Sequence, residues 1–133
     1  MKKGYKSSIE KLALENTDFR RVLYTATGCQ LVLMSLKPGE EIGMETHDGG
    51  DQFFRFERGM GKVVINGAEY PVTDGDAVIV PMGAKHNVIN ISTAEALKLY
   101  TIYAPPHHKD GVVRATRAEA EADGPEFDGV TTE

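Results

Sequence analysis

The stretch that decides the fold is Gly75-Asp-Ala-Val-Ile-Val-Pro81-Met-Gly83-Ala-Lys-His86-Asn-Val-Ile-Asn90. A glycine opens it, and a short β-rich run then ends at a proline and a second glycine, which are residues that favour turns. A second β-rich run begins at the histidine. The stretch therefore predicts two short strands joined by a turn, with a histidine at the start of the second strand.

The residues on either side repeat this pattern of short β-rich runs separated by turn residues. Asn66-Gly67 lies between two such runs and predicts a hairpin, because both turn residues must take positive φ. No helical pattern interrupts residues 18–104, so the regular spacing of short strands favours an all-β sandwich or barrel. The predicted strands cover residues 19–24, 29–36, 52–56, 62–65, 68–72, 77–80, 86–91 and 96–103.

The chain divides into three zones around the predicted barrel. Residues 1–17 form an N-terminal segment in which apolar residues with helical spacing follow two serines and predict a short helix. Residues 18–104 form the barrel, and residues 105–133 form a polar C-terminal tail. A capping-box spacing that starts at Thr116 predicts a second short helix. Beyond Gly124 the tail has few apolar side chains, so we expect its end to be frayed.

Composition excludes several classes of function. The 133 residues suit one domain, and a net charge of −5 without a lysine–arginine block argues against nucleic-acid binding. The single cysteine cannot form an internal disulfide, and we expect Cys29 to be a small buried hydrophobic residue. The basic N-terminus precedes no long apolar segment, so we expect a soluble cytoplasmic protein that does not bind membranes.

A second informative stretch lies upstream and reads Gly39-Glu-Glu-Ile-Gly-Met-Glu45-Thr-His47. Residues two apart on an extended strand share a face, so Glu45 and His47 project into the same space. If that space is the barrel interior, a distant strand that carries His86 can reach the same point. The pattern predicts a cluster of polar side chains inside the barrel.

The next predicted strand adds a further polar group. Gln52 shares a face with Phe54 and Phe56, whereas Asp51 shares the opposite face with charged residues. The face with the two phenylalanines is the more apolar, so we expect it to point inward with both rings lining the pocket. Alternation along the strand therefore favours Gln52 over Asp51 as the interior group.

Together the two stretches resemble the two sequence motifs of the cupin superfamily over about residues 36–103. The second family motif, G-x5-P-x-G-x2-H-x3-N, is matched at every specified position. The first, G-x5-H-x-H-x3–4-E-x6-G, is matched in spacing, but Glu45 replaces its first histidine and Gln52 replaces its glutamate. Asp51 would fit the shorter spacing of that motif, but Gly59 is in register with Gln52 and not with Asp51.

The resemblance implies a double-stranded β-helix, or jelly-roll barrel, that holds a metal ion through Glu45, His47, Gln52 and His86. Two imidazoles, a carboxylate and an amide favour a first-row divalent metal over calcium, and the lack of thiolates argues against a structural zinc site. Iron, zinc, manganese and nickel are all candidates. The two replacements keep one negative charge among the ligands, and Glu45 buried without a cation would carry a large desolvation cost.

These expectations predict a metal-binding enzyme acting on a small oxygenated substrate, such as a sugar or sugar derivative. Small cupins of the mannose-6-phosphate isomerase type are the most similar in general character, which implies isomerase-like chemistry with Glu45 as the catalytic base. A non-haem iron dioxygenase with His47, His86 and Glu45 as its triad is one alternative. A non-catalytic barrel that binds a small ligand is another, and whether the protein is an enzyme stays open.

Residues outside the motifs carry weaker expectations. His107 and His108 follow Pro105-Pro106, and two histidines in a polar tail are usually exposed, with lining of the pocket mouth as the alternative. Tyr100 and Tyr103 share a late strand, and either one faces the pocket or both pack in the wall. The resemblance to small cupins also implies a homodimer, because an open jelly roll leaves strand edges to be covered.

Overall fold

The computed structural model describes residues 1–133, which form ten strands and two short helices. The strands are β1 (Arg20–Thr25), β2 (Gln30–Leu36), β3 (Glu45–Thr46), β4 (Asp51–Arg58), β5 (Gly61–Ile65), β6 (Ala68–Val72), β7 (Ala77–Val80), β8 (Lys85–Asn90), β9 (Leu97–Ala104) and β10 (Val113–Arg114). The helices are α1 (Ile9–Glu15) and α2 (Arg117–Ala122).

The strands form two antiparallel sheets. One sheet has the strand order β10-β1-β2-β9-β4-β7, and the other has the order β3-β8-β5-β6. Neighbours in a sheet are often distant in sequence, because the chain crosses repeatedly from one sheet to the other. This is the topology of a jelly roll, so the predicted all-β barrel with short terminal helices is confirmed.

The core lies between the sheets and is built from alternate residues of each strand. In β4 the buried residues include Gln52, Phe54 and Phe56, as the alternation predicted. The pairing of β4 with β9 places Gln52 beside Tyr103 near one end of the sheet. Further along the same pair, Phe56 lies beside Leu99, and neither side chain is exposed at all. The interior therefore has a polar end and an apolar remainder.

The hairpin between β5 and β6 forms where the sequence predicts it. Asn66 has a φ of 47° and Gly67 a φ of 83°, so both turn residues lie in the left-handed region. Asn66 is the only residue other than glycine with a positive φ. The hairpin fixes the register of β5, which in turn pairs with β8 and places His86 beside Ile65.

The two helices lie at the ends of the chain. Helix α1 packs on β2, β4 and β9, and its residue Ala13 is fully buried. Helix α2 begins after Thr116, whose hydroxyl accepts a hydrogen bond from the backbone N–H of Glu119 at 3.1 Å, so the predicted cap is confirmed. Neither helix is long and apolar enough to cross a lipid bilayer. The homodimer stays a prediction.

The C-terminal tail packs along the barrel, so the expectation of a frayed end is wrong. The backbone N–H of Thr132 donates to the carbonyl of Thr25 at 2.9 Å, and that of Phe127 donates to the carbonyl of His107 at 3.0 Å. Strand β10 extends the edge of β1. Backbone hydrogen bonds hold this segment, and its polar composition gave no indication of them.

Cys29 is exposed, so the prediction of a buried cysteine is also wrong. It lies in the turn between β1 and β2, where its carbonyl accepts a hydrogen bond from the N–H of Ala26 at 2.9 Å. The buried part of β2 begins one residue later, at Gln30. The turn therefore places Cys29 outside the barrel although the apolar run that follows is inside.

Candidate metal centre

The structure brings Glu45, His47 and His86 together at the polar end of the barrel. One potential ligand atom from each residue lies within 4.8 Å of the others. The pairing of β3 with β8 places Glu45 opposite His86, and His47 follows directly after β3. Residues far apart in sequence thus converge because an edge strand pairs with β8. This is a cluster that could hold a metal ion.

The contact between Glu45 and His47 has the spacing of two ligands of one ion. Oε2 of Glu45 lies 2.9 Å from Nε2 of His47. This nitrogen is buried, yet it has no hydrogen-bond partner in good geometry. Two donor atoms at right angles, each about 2.1 Å from a common ion, are about 3.0 Å apart. The geometry therefore fits joint ligation better than a hydrogen-bonded pair.

The imidazole of His86 is oriented for ligation through one nitrogen. Its Nδ1 lies 3.0 Å from the carbonyl oxygen of Ala84, and the side chain is almost completely buried. A carbonyl oxygen can only accept, so Nδ1 carries the proton and Nε2 keeps its lone pair. Metal-binding histidines are commonly held by such a bond from the other ring nitrogen.

The amide of Gln52 presents its oxygen without a partner. Its Nε2 donates to Oγ1 of Thr101 at 3.0 Å, and the Thr101 hydroxyl donates to the carbonyl of Phe53 at 2.8 Å. Because that hydroxyl proton is already used, Oγ1 must accept from the amide, which fixes the orientation of Gln52. The buried Oε1 is left unpaired, at a cost of about 1–3 kcal/mol. A cation would satisfy it.

A small inner cavity lies beside Glu45, Gln52 and His86, whereas His47 lines the adjoining outer cavity. Its volume is ≈10 Å³, which is room for about one water-sized species and too little for an organic ligand. Phe54 lines it as expected, whereas Phe56 lies deeper in the core and is not one of the lining residues. The inner cavity is lined by Ile42, Gly43, Glu45, Gln52, Phe54, His86, Asn87, Val88 and Tyr103.

The surrounding charges keep the Glu45 carboxylate ionised. Burial raises the pKa of this carboxyl, but its contact with His47 and the nearby basic groups of His86 and Arg20 outweigh the effect of burial. The net effect holds the pKa of Glu45 below its usual value of 4.5. At neutral pH Glu45 therefore supplies one negative charge to the cluster.

A larger, open outer cavity of ≈230 Å³ adjoins the cluster. Tyr103 lines both cavities, so of the two tyrosines considered from sequence it is Tyr103 that faces the site. The ring of His107 lies 4.4 Å from that of His47, centroid to centroid, and burial lowers the pKa of His107. The outer cavity is lined by Thr46, His47, Asp48, Gly49, Gly50, Asp51, Tyr103, Pro105, Pro106 and His107.

His108 is buried, so the expectation of two exposed histidines is wrong. Its Nε2 lies 3.1 Å from the hydroxyl of Tyr103, and burial lowers the pKa of its imidazole to about 2. Gln30 holds the segment in place, because its Oε1 accepts from the N–H of His108 at 2.9 Å and its Nε2 donates to the carbonyl of His108 at 2.7 Å. A glutamine on the inward face of β2 is the sequence signal that could have indicated a buried polar partner such as the His108 backbone.

The two walls of the outer cavity meet at Gly50. A Cβ atom at this position would lie 2.5 Å from the carbonyl oxygen of Ala104 and 2.7 Å from Cδ of Pro105. No side chain fits there, so the residue has to be glycine. The loop of residues 46–51 is thereby held against the segment that follows β9.

Known proteins share both the sequence and the fold of this chain. The family model described as the cupin domain matches residues 32–103. The protein YrkC of Bacillus subtilis (strain 168) is 42% identical over 126 residues, which cover 90% of this chain and 67% of YrkC. A protein of Acanthamoeba polyphaga mimivirus is 37% identical over 124 residues, which cover 90% of this chain and 77% of the viral protein.

A solved structure agrees with these sequence matches. The crystal structure of BH2720 from Bacillus halodurans has a TM-score of 0.88 and 40% sequence identity to this chain. The alignment covers 91% of this chain and 96% of BH2720. The family model spans more than half of the chain, and the strands that it spans build the barrel and the metal cluster. The chain is therefore a member of the cupin superfamily.

Proposed function

We propose that this cupin binds one divalent transition-metal ion through Glu45, His47, Gln52 and His86 and uses it to act on a small oxygenated substrate. The observation that carries the proposal is a pair of buried polar atoms that form no hydrogen bond in good geometry, Nε2 of His47 and Oε1 of Gln52. Buried polar atoms normally have a partner, and one cation would serve both. The volume of the inner cavity supports an ion over an organic ligand.

The spacing of the donor atoms favours an octahedral ion. Ligands of a tetrahedral ion with bonds of about 2.1 Å would be about 3.4 Å apart. The 2.9 Å between Glu45 and His47 is closer to the octahedral value. Imidazole and oxygen donors suit iron, manganese and nickel in that geometry. We therefore favour these three metals over zinc.

The two cavities support chemistry on a small substrate. When bound, a divalent ion polarises a carbonyl group or acidifies a neighbouring hydroxyl group of a substrate. Burial raises the pKa of Tyr103, so its hydroxyl, which lies 3.1 Å from Nε2 of His108, keeps its proton at neutral pH. Glu45 is the single carboxylate of the inner cavity and our candidate for the catalytic base. Pockets for drug-sized ligands typically have volumes of about 300–1,000 Å³. The outer cavity is smaller than this, which favours a sugar-sized molecule.

An iron-dependent dioxygenase is the second candidate. Two histidines and one carboxylate with donor atoms within 4.8 Å resemble the facial triad of non-haem iron oxygenases. Oxygen uptake by the iron-loaded protein with diketones and catechols tests this reading. An isomerase would instead exchange the carbon-2 proton of a sugar with deuterated water.

Metal analysis of the untagged native protein is the direct test of the proposal. Mass spectrometry of the elements should find close to one equivalent of iron, manganese or nickel for each chain. A protein that contains no transition metal, and that takes up none of the three on dialysis, would contradict the proposal and favour a non-catalytic barrel.

Metal affinity should fall as the solution becomes acidic. Both imidazoles must be neutral to bind, and an ordinary imidazole protonates near about pH 6.5. The lowered pKa of Glu45 keeps its carboxylate ionised over this range, so a loss of affinity would come from proton competition for the ring nitrogens. Two competing protons should weaken binding by up to about 100-fold per pH unit below about pH 6. Equilibrium dialysis against a metal-sensitive dye measures this, and full occupancy at pH 4 would refute the ligand set.

Gln52→Leu should weaken metal binding without unfolding the protein. The variant removes Oε1, whereas the Thr101 hydroxyl keeps its acceptor, the carbonyl of Phe53. Removing a residue that hydrogen-bonds to a metal ligand typically lowers metal affinity by about 10–100-fold. Removing an atom that itself binds the metal should lower it by at least as much. Asp51→Asn is the matched control, because this exposed side chain bonds only to the N–H of Met82. Equal losses of affinity in the two variants would exclude Gln52 as a ligand.

A further inference from the structure

We infer that the outer cavity selects an uncharged, polyhydroxylated molecule and rejects phosphate esters and carboxylates, with Asp48 as a specificity-determining residue. The inference rests on the proposed function, because the substrate must reach the metal through this cavity. It adds the charge class of the substrate, which the metal ligands alone do not determine.

The lining of the outer cavity carries negative charge and no lysine or arginine. Asp48 and Asp51 are both lining residues. Asp51 uses Oδ1 to accept a hydrogen bond from the N–H of Met82 at 2.8 Å. Asp48 is exposed and has no ion-pair partner in the structure. No cationic side chain therefore offsets its charge at the cavity mouth.

Sites that bind phosphate or carboxylate groups normally supply a bidentate arginine, a lysine or a helix N-terminus. None of these lines the outer cavity. Arg20 is the cation whose charge reaches Glu45, but it is not one of the lining residues. Apart from the metal ion itself, a phosphate group would therefore meet two carboxylates and no cationic side chain in this cavity.

The same lining is suited to a molecule with several hydroxyl groups. A carboxylate such as that of Asp48 accepts hydrogen bonds from hydroxyl donors. Pro105 and Pro106 add apolar surface to the lining, next to the half-buried ring of His107, whose other neighbour is the Tyr103 ring stacked on it at 5.2 Å. Such surfaces pack against the C–H groups of a sugar ring. Polar acceptors next to flat apolar walls thus match an unphosphorylated sugar or polyol.

The test uses the full-length protein loaded with Mn²⁺, with the metal content measured first. Bound Mn²⁺ broadens the proton signals of a ligand that approaches it, which detects weak binding without any turnover. The matched probes are D-ribose and D-ribose 5-phosphate at low ionic strength. We expect ribose to bind at least about tenfold more tightly, and we expect added salt to reduce this difference because it screens the charges.

Variants of Asp48 separate the charge effect from shape. Asp48→Asn should reduce the preference for ribose severalfold, and Asp48→Lys should abolish or reverse it. Asp74→Asn is the control, because Asp74 is an exposed turn residue that does not line the cavity. The preference should be unchanged in this variant.

The outcomes distinguish the two proposals. Equal or tighter binding of the phosphate ester, binding of neither probe, or Asp48 variants that behave as wild type would each overturn the inference while the metal site stands. A protein that fails to take up Mn²⁺ or the other metals overturns the proposed function, and the inference falls with it.

Discussion

Replacement of His86 by alanine should remove the metal while leaving a folded barrel. The carbonyl of Ala84 holds Nδ1 of His86, which fixes the orientation of its Nε2 as a donor in the cluster. Removing a residue that only hydrogen-bonds to a metal ligand usually lowers metal affinity by about 10–100-fold. Loss of the His86 imidazole, which is itself a proposed ligand, should lower it by more than about 100-fold. Elemental analysis after dialysis measures occupancy, and far-ultraviolet circular dichroism reports whether the sheets persist.

His107→Ala is the matched control for His86→Ala. His107 stands next to His47, but it is not one of the residues whose potential ligand atoms cluster, so the variant should keep close to wild-type metal content. If His86→Ala retained full occupancy, or if His107→Ala lost the metal to the same extent, the proposed ligand set would be wrong.

Replacement of Phe56 by alanine should cause the largest loss of stability among simple substitutions in the core. The side chain is fully buried and its ring lies 6.3 Å from that of Phe54, centroid to centroid. Because the surrounding core cannot fill the cavity left by the ring, such a substitution lowers the free energy of unfolding by about 3–5 kcal/mol. Domains of this kind have only about 5–15 kcal/mol of stability in total. Urea denaturation in the presence of a chelator should show a strongly lowered midpoint.

Ile79→Ala is the control for the loss of a large side chain from a strand. Ile79 lies in β7 but is 67% exposed, so its removal should change the free energy of unfolding by less than about 0.5 kcal/mol. A similar loss in both variants would mean that the barrel interior is not packed as described. The chelator ensures that the comparison concerns the core and not the metal.

The sequence predicts those parts of the fold that depend on local rules. Asn66-Gly67 specifies its hairpin through backbone conformation alone. The alternation around Gln52 identifies the inward face of β4, because one strand face must be buried in a barrel. The resemblance to the cupin motifs then predicts the cluster of Glu45, His47 and His86, although His86 is distant from the other two in sequence.

The parts that sequence reasoning missed depend on contacts between distant segments. Nothing near His108 in sequence shows that Gln30 binds its backbone from another strand. The same contact places the preceding histidine in the wall of the outer cavity. Cys29 was predicted to be buried because an apolar run follows it, but the turn places its side chain outside the barrel. Polar composition describes what a segment lacks, and it does not show which partners the segment will find.

Gly50 has a consequence for how substrate preference can change. The backbone at Gly50 lies too close to the backbone of Ala104 for any side chain to fit between them. The two segments on either side of the outer cavity are therefore in direct contact at this point. The course of the main chain therefore leaves no room for a side chain at this point of the entrance. We therefore expect single substitutions in the lining to change the charge of the cavity, whereas widening it at Gly50 would require a new path for the loop of residues 46–51.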